Sequence, residues 1–382
     1  MGCSQTKPLF REIKVGDLTL QNRAVVASTT RLRAGLAGVP NDLLVEYYTA
    51  RARAGLILTE CVAVSADGNA FPGAACLYNN EQVAGWKRVN ESVHAAGGVI
   101  FAQIFHGGRV AHPDQIGGAM PISSSAIAIN GTVHTQNGRV PHVTPQSASI
   151  HDIKRFVQDF KKSAELAKLA GFDGIELHAG NGYLIDQFLR NGVNQRTDNY
   201  GGSFENRARF LLEIVDEIAK VYSPKRIGVK ISPNGVYNEM KDSDPIKLFQ
   251  HVTQELSKRK IAFLELSEYF TFDATNKEHS DKFFQELPHK STRAYLKPLF
   301  KGTFIVNTGY DEEKANHVIS NGEADMVSFG SLYIANADLV ERMAQGRALN
   351  SVGNVKEMGK LWTHYFYGTD GIGYTDLSVY EP

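Results

Sequence analysis

The sequence predicts an α/β protein whose parallel strands close into a barrel, and three observations carry that prediction. Short β-branched apolar runs recur eight times, each followed by a turn and then by a stretch with helical apolar spacing. The runs are apolar enough to be buried on both faces, as strands are when helices cover a parallel sheet. No strand exit carries a GxGxxG turn, and Gly180–Asn181–Gly182 lacks the third glycine, which counts against the alternative, an open doubly wound sheet. The expectation is a single (β/α)8 TIM-barrel domain over residues 1–382.

Taken in order, strands are expected at Ala24–Ala27, Leu56–Thr59, Val99–Phe105, Gly174–Leu177, Ile227–Ile231, Phe263–Leu266, Thr303–Val306 and Met326–Phe329. Helices are expected between them at Asn41–Arg53, Glu81–Ala96, His151–Ala170, Ser203–Val221, Asp244–Lys258, Ser291–Phe300, Asp311–Ser320 and Asp338–Ala344. Asn41, Ser203 and Asp244 are good N-caps, and Gly171 stands where a left-handed residue would end the third helix. Residues 105–150 join the third strand to its helix through a Gly, Pro and Ser-rich segment, the length of a capping insertion over a site. The tail with Trp362, Tyr365, Phe366, Tyr367 and Tyr374 is too aromatic for a loose end.

Composition removes several function classes. The chain has 41 Lys plus Arg against 41 Asp plus Glu, so it lacks the basic excess with which proteins hold nucleic acid. A hydrophobic fraction of 42% excludes a disordered chain. Three cysteines, at 3, 61 and 76, have no CxxC pairing, which suits a reducing, cytoplasmic setting and excludes a thiolate zinc site. The longest uncharged stretch, Gln115–Gly138, is broken by Gly, Ser, Asn and Pro121, so no bilayer span is expected. The first residues, Met1-Gly2-Cys3-Ser4-Gln5-Thr6, fit the eukaryotic myristoylation pattern with Cys3 placed for a second acyl chain, and acylation there would anchor the protein to a membrane.

In barrels of this kind the site is built at the carboxyl ends of the strands. Those ends carry Ser28, Thr29, Thr30 and Arg31; Glu60 and Cys61; Gln103, His106 and Arg109; His178, Asn181 and Tyr183; Lys230; Asn307, Thr308 and Gly309; Gly330 and Ser331. Donors dominate. No HExxH, GxSxG or close carboxylate pair appears, and His178 with Asn181 lacks the further ligands of a metal site. The donor set suits a planar, electron-rich ligand bearing a phosphate, which Gly309 and Gly330 would let backbone N–H groups approach. Lys230 keeps a second reading open, a Schiff-base lyase, and a non-catalytic barrel binding a phosphorylated ligand is a third. Gln103 alone is equally compatible with satisfying polar groups inside the barrel, and Tyr374, Tyr237, Tyr269, Phe270 and Phe272 with packing.

Four segments carry a resemblance: Asn22–Arg23 leading to Thr30–Arg31, Gln103–Arg109, His178–Leu189 and Arg196–Arg207. In order and in residue type they resemble the Old Yellow Enzyme family of FMN-dependent ene-reductases. The resemblance implies FMN across the barrel mouth, NADPH or NADH as reductant, and a small activated alkene as acceptor. It implies that Thr30 bonds the flavin O4, Gln103 the pyrimidine edge, and that Ser28, Thr29 and Cys61 line the ring. It further implies that His178 and Asn181 hold the substrate carbonyl oxygen, that Tyr183 protonates the α-carbon, and that Tyr374 touches substrate. At three places this chain departs from the family pattern, most at Lys230 and Ser331. Lys230 stands where an arginine is usual beside the ring, and Ser331 where a phosphate-binding arginine is usual; Ser28 replaces a customary proline.

Overall fold

The computed structural model describes residues 7–268, 291–350 and 368–376. The N-terminal acylation pattern, Tyr269, Phe270, Phe272 and the aromatics from Trp362 to Tyr367 lie outside them.

Eight parallel strands close into a barrel in sequence order: Ala24–Val26, Leu56–Ala63, Ile100–Phe105, Gly174–Ala179, Ile227–Ile231, Phe263–Ser267, Thr303–Asn307 and Met326–Phe329. The first pairs with both the second and the eighth, so no edge is left and the open sheet is excluded. The second strand runs past its expected end at Thr59 because a register shift between Leu58 and Cys61 lets pairing continue beyond Glu60. Helices between the strands start where the caps indicated: Asn41 accepts from the Leu43 N–H at 3.1 Å and Asp244 from the Lys247 N–H at 3.1 Å. Gly171 ends the third of them at φ 88°. The helix expected at Ser291–Phe300 stops at Leu296 and becomes a 3₁₀ turn over Lys297–Leu299, because Pro298 has no N–H to continue it.

Two features went unread in the sequence. A hairpin of Ile13–Val15 and Leu18–Leu20 turns at Gly16 and seals the amino end of the barrel with Val15 and Leu20. The insertion after the third strand is not a bare loop: it contains a hairpin, Thr132–Thr135 with Gly138–Pro141, and a parallel pair, Ile122–Ser123 with Gln146–Ser147. Arg109 ties it down by donating to the carbonyls of Ile127 at 3.1 Å and Asn238 at 2.6 Å. Among the described residues no helix is long and apolar enough to cross a membrane.

Candidate active site

Site construction begins at the turn after the fourth strand. His178 ends that strand, and Asn181 and Gly182 then take left-handed backbone, φ 54° and 76°, to reverse the chain before the helix Leu184–Leu189. The turn is over-determined. Asn181 donates its N–H to Ser232 Oγ at 2.7 Å, and Asn238 Nδ2 donates to the Asn181 carbonyl at 2.9 Å. Gly182 donates its N–H to Asp186 at 3.0 Å, and Asp186 is itself paired with Arg190 at 3.0 Å. Only glycine fits at 182, where a Cβ would lie 2.6 Å from Asn238 Cβ. So fixed, the turn sets the Tyr183 ring edge-on to Phe105 at 5.3 Å, with the His178 ring 5.0 Å away. Tyr183 is 7% exposed, walled by Phe71 and Phe105. Burial and the charge of Lys230 push the His178 imidazole down to about 3, so it is neutral at physiological pH. Its buried Nδ1 has no hydrogen-bond partner among the described residues.

Beneath this turn the barrel interior is polar. Ser28 donates to Gln103 Oε1 at 2.6 Å, the Cys61 thiol lies 3.1 Å from the same oxygen, and Gln103 Nε2 donates to Glu176 at 2.6 Å. Thr30 is hydrogen-bonded with Cys61, so Ser28, Thr30, Cys61 and Gln103 lie together in one cluster. Burial pushes the Cys61 thiol up to about 12, which makes it an inert lining residue. Lys230, 5% exposed, donates to Glu265 at 3.2 Å. Burial alone would lower its ammonium, but Glu265 and Glu176 outweigh that and hold it above its usual range. A Schiff-base nucleophile must be neutral to attack, so this lysine is poorly suited to the lyase reading.

The seventh and eighth exits are open. Thr308 and Gly309 both have positive φ, 94° and 74°, and a Cβ on Gly309 would meet nothing within 4 Å. Left-handed backbone at a threonine is strain held in place by its surroundings, here the Thr308 hydroxyl donating to Asn307 Oδ1 at 3.2 Å. Gly330 stands next to Thr29, whose Oγ1 is 3.7 Å from where its Cβ would be, and Ser331 is exposed at the start of the helix Ser331–Ala335.

Tyr374 does not join this set. It is 1% exposed and stacked on Tyr47 at 4.3 Å, with Arg31 and Arg33 each 4.9 Å from its ring. Arg31 donates to the Gly373 carbonyl at 2.6 Å, so the two arginines and the two tyrosines clasp residues 368–376 to the first strand exit. These are packing contacts, and the buried Tyr374 hydroxyl has no hydrogen-bond partner among the described residues. Conversely, Glu176 and Glu265 belong to the site and went unread, although each is a lone charge inside a buried apolar run, the pattern that had marked Lys230.

Residues 8–350 match the model of the NADH:flavin oxidoreductase / NADH oxidase family. A relative in Leishmania infantum, named a probable flavin mononucleotide-dependent alkene reductase, is 35% identical, the alignment covering 96% of each chain. The chain belongs to the Old Yellow Enzyme family. Among solved structures, the old yellow enzyme homologue of Zymomonas mobilis superposes with a TM-score of 0.89 at 34% identity, covering 97% of this chain and 99% of that one. Morphinone reductase in complex with tetrahydroNAD gives 0.87 at 36% identity, covering 98% of both chains. The likeness thus spans the barrel, the insertion and the site turn.

Proposed function

We propose that this protein is an FMN-dependent NAD(P)H oxidoreductase that reduces the activated C=C bond of α,β-unsaturated carbonyl or nitro compounds. The observation that carries the reading is one rigid turn that presents His178, Asn181 and Tyr183 above a buried, charged Lys230 in a chain of this family.

The residues fit FMN. Gln103 Oε1 already accepts from Ser28 and Cys61, and one N–H goes to Glu176, which leaves the second amide hydrogen for a carbonyl at the pyrimidine edge. The partnerless His178 Nδ1 and the open space at Gly309 suit a ligand seated from the mouth. When bound, FMN supplies the hydride chemistry, taking hydride from NADPH or NADH and giving it to the alkene β-carbon. Thr30 would bond its O4, Ser28, Thr29 and Cys61 would line the ring, and Gly309, Gly330 and Ser331 would face the phosphate. Lys230 stabilises negative charge on the ring. His178 and Asn181 act on the acceptor oxygen. Because His178 is neutral, it serves as a fixed hydrogen-bond donor to an oxygen gaining charge and does not lose a proton to it. Tyr183, whose phenol O–H is a proton donor, gives its proton to the α-carbon.

The test is direct. Purified protein reconstituted with FMN should show bound-flavin absorbance, lose it on anaerobic NADPH or NADH, and regain it on addition of cyclohexenone. A colourless protein, or a reduced flavin that no activated alkene reoxidises, overturns the reading; a substrate trapped on Lys230 by borohydride would favour the lyase.

A further inference from the structure

Lys230 is not a lone cation. Pairing of adjacent strands sets it between Glu176 on the fourth strand and Glu265 on the sixth, at the level of His178, which is its direct register partner. Glu265 Oε1 receives the Lys230 ammonium at 3.2 Å and the Ser328 hydroxyl at 2.5 Å, while Glu176 Oε2 receives Gln103 Nε2 at 2.6 Å. The other two oxygens, Glu176 Oε1 and Glu265 Oε2, are fully buried and receive no hydrogen bond from any described N–H or O–H. Yet the two carboxyl groups lie within hydrogen-bonding reach of each other. Two carboxylates, each with a bare oxygen, cannot lie that close in a dry interior; one proton shared by the pair removes the repulsion and supplies the missing donor.

Charge arithmetic gives the same answer. Two ionised carboxylates would leave a net buried negative charge, and two protonated ones would leave Lys230 uncompensated; one proton on the pair makes the triad neutral. The remaining neighbours, neutral His178, the Cys61 thiol, Gln103 and Ser328, add no charge.

We propose that Glu176 and Glu265 share one proton and together cancel the charge of Lys230, so that this carboxyl pair sets how much positive potential reaches the ring of bound FMN. The counter-charge to Lys230 is thus built into the barrel and acts on the potential through Lys230. Burial, with Glu265 close by, pushes Glu176 well up, while Lys230 and the bond from Glu176 overcome burial to hold Glu265 below its usual range, so the proton resides mainly on Glu176. Either carboxyl could nevertheless carry the single charge if the other were neutralised.

That redundancy makes the proposal testable without turnover. Infrared difference spectra of the apoprotein at neutral pH should show the carbonyl stretch of a protonated acid that disappears in Glu176→Gln and equally in Glu265→Gln, because the surviving carboxyl ionises against Lys230. Comparison with the parent separates it from other buried carboxyls such as Glu60. A band that persists in Glu265→Gln overturns the shared proton. The second measurement rests on the proposed FMN function. Each single variant should keep the midpoint potential of bound FMN within a few-fold of the parent's two-electron equilibrium. The double variant Glu176→Gln with Glu265→Gln should favour the reduced form by at least about tenfold, ~30 mV, measured near pH ~6 where the ammonium stays protonated. FMN bound with an unchanged potential in the double variant overturns the inference, whereas no FMN bound in the parent overturns the functional reading and leaves the infrared result to decide the pair. Should the double variant not fold, the single variants' infrared spectra decide.

Discussion

On the third barrel strand Phe101 packs inside the barrel against Phe263 of the sixth, ring centroids 5.8 Å apart, whereas Gln103, two residues on, holds Ser28, Cys61 and Glu176. The same step of two separates Phe263 from Glu265 and Met326 from Ser328. On the fourth and fifth strands it separates Gly174 and Gly228 from Glu176 and Lys230. There the glycines leave room for rings, since a Cβ would lie 2.3 Å from Phe101 and 2.1 Å from Phe263. Side chains of a strand alternate between faces, so one step of two moves up one interior layer without leaving the barrel axis. The lower layer, closed by Val15 and Leu20 of the hairpin, holds the barrel together by filling it; the upper layer holds charge. Apolar packing below keeps solvent from reaching the buried charges above from the amino end, so the two layers are separable in what a mutation changes.

The largest effect is expected above the upper layer. Tyr183→Phe should slow reoxidation of the reduced flavin by cyclohexenone about 10²–10⁴-fold and leave its reduction by NADPH within a few-fold. A nitroalkene is the internal control, because its nitronate is stable enough to leave unprotonated. His178→Ala should impair both acceptors by about 10²–10³-fold, since it removes a donor to their common oxygen. With the imidazole at about 3, that donor does not titrate above pH ~5, so hydride transfer to the nitroalkene should be level from about pH 5 to 8. Equal large losses in both half-reactions of Tyr183→Phe would make this tyrosine a flavin-positioning residue; a fall in rate centred near pH ~6.5 would show His178 titrating normally.

Next in size is a change confined to the lower layer. Phe263→Ala empties a place between Gly228 and Phe101 that the rigid barrel cannot close, and should destabilise the fold by about 3–5 kcal/mol in urea unfolding. At low temperature the folded variant should keep the parent's flavin potential. A shifted potential in a stably folded Phe263→Ala protein would mean that the two layers are coupled.

The difference between the layers also explains what was readable in the chain. The eight strands were legible because a parallel barrel needs continuous apolar runs, and charged residues inside them, Glu60, Glu176, Lys230 and Glu265, are the visible exceptions. The turn His178–Tyr183 was legible because its groups are contiguous. The partners of Lys230 were not, since they sit on strands about 35 and 54 residues away and meet only through register. The sealing hairpin has strands of three residues each, too short for a period to show. Tyr374 reads in the sequence equally as a pocket wall and as a stack, and only the fold brings Tyr47 beneath it.

The smallest effect is expected at the rim, outside both layers. Ser331 is exposed, and Lys314, beside Gly309, is already engaged: its ammonium is 2.9 Å from Asp311 and 3.4 Å from the Gly309 carbonyl. Among the described residues, what a phosphate facing Gly309 and Gly330 would meet is chiefly backbone N–H. Ser331→Arg adds a forked cation, but in water, where such a pair contributes about 1 kcal/mol, roughly fivefold in affinity. Titration of apoprotein with FMN, followed by flavin fluorescence, should show that gain at low salt and lose most of it at high salt, because screening acts on exposed charge. Ser331→Gln, which adds length and donors without charge, should bind FMN like the parent. A gain that survives high salt, or that glutamine reproduces, would show that the rim lacks a hydrogen-bond donor there and that charge is not what Ser331 gave up.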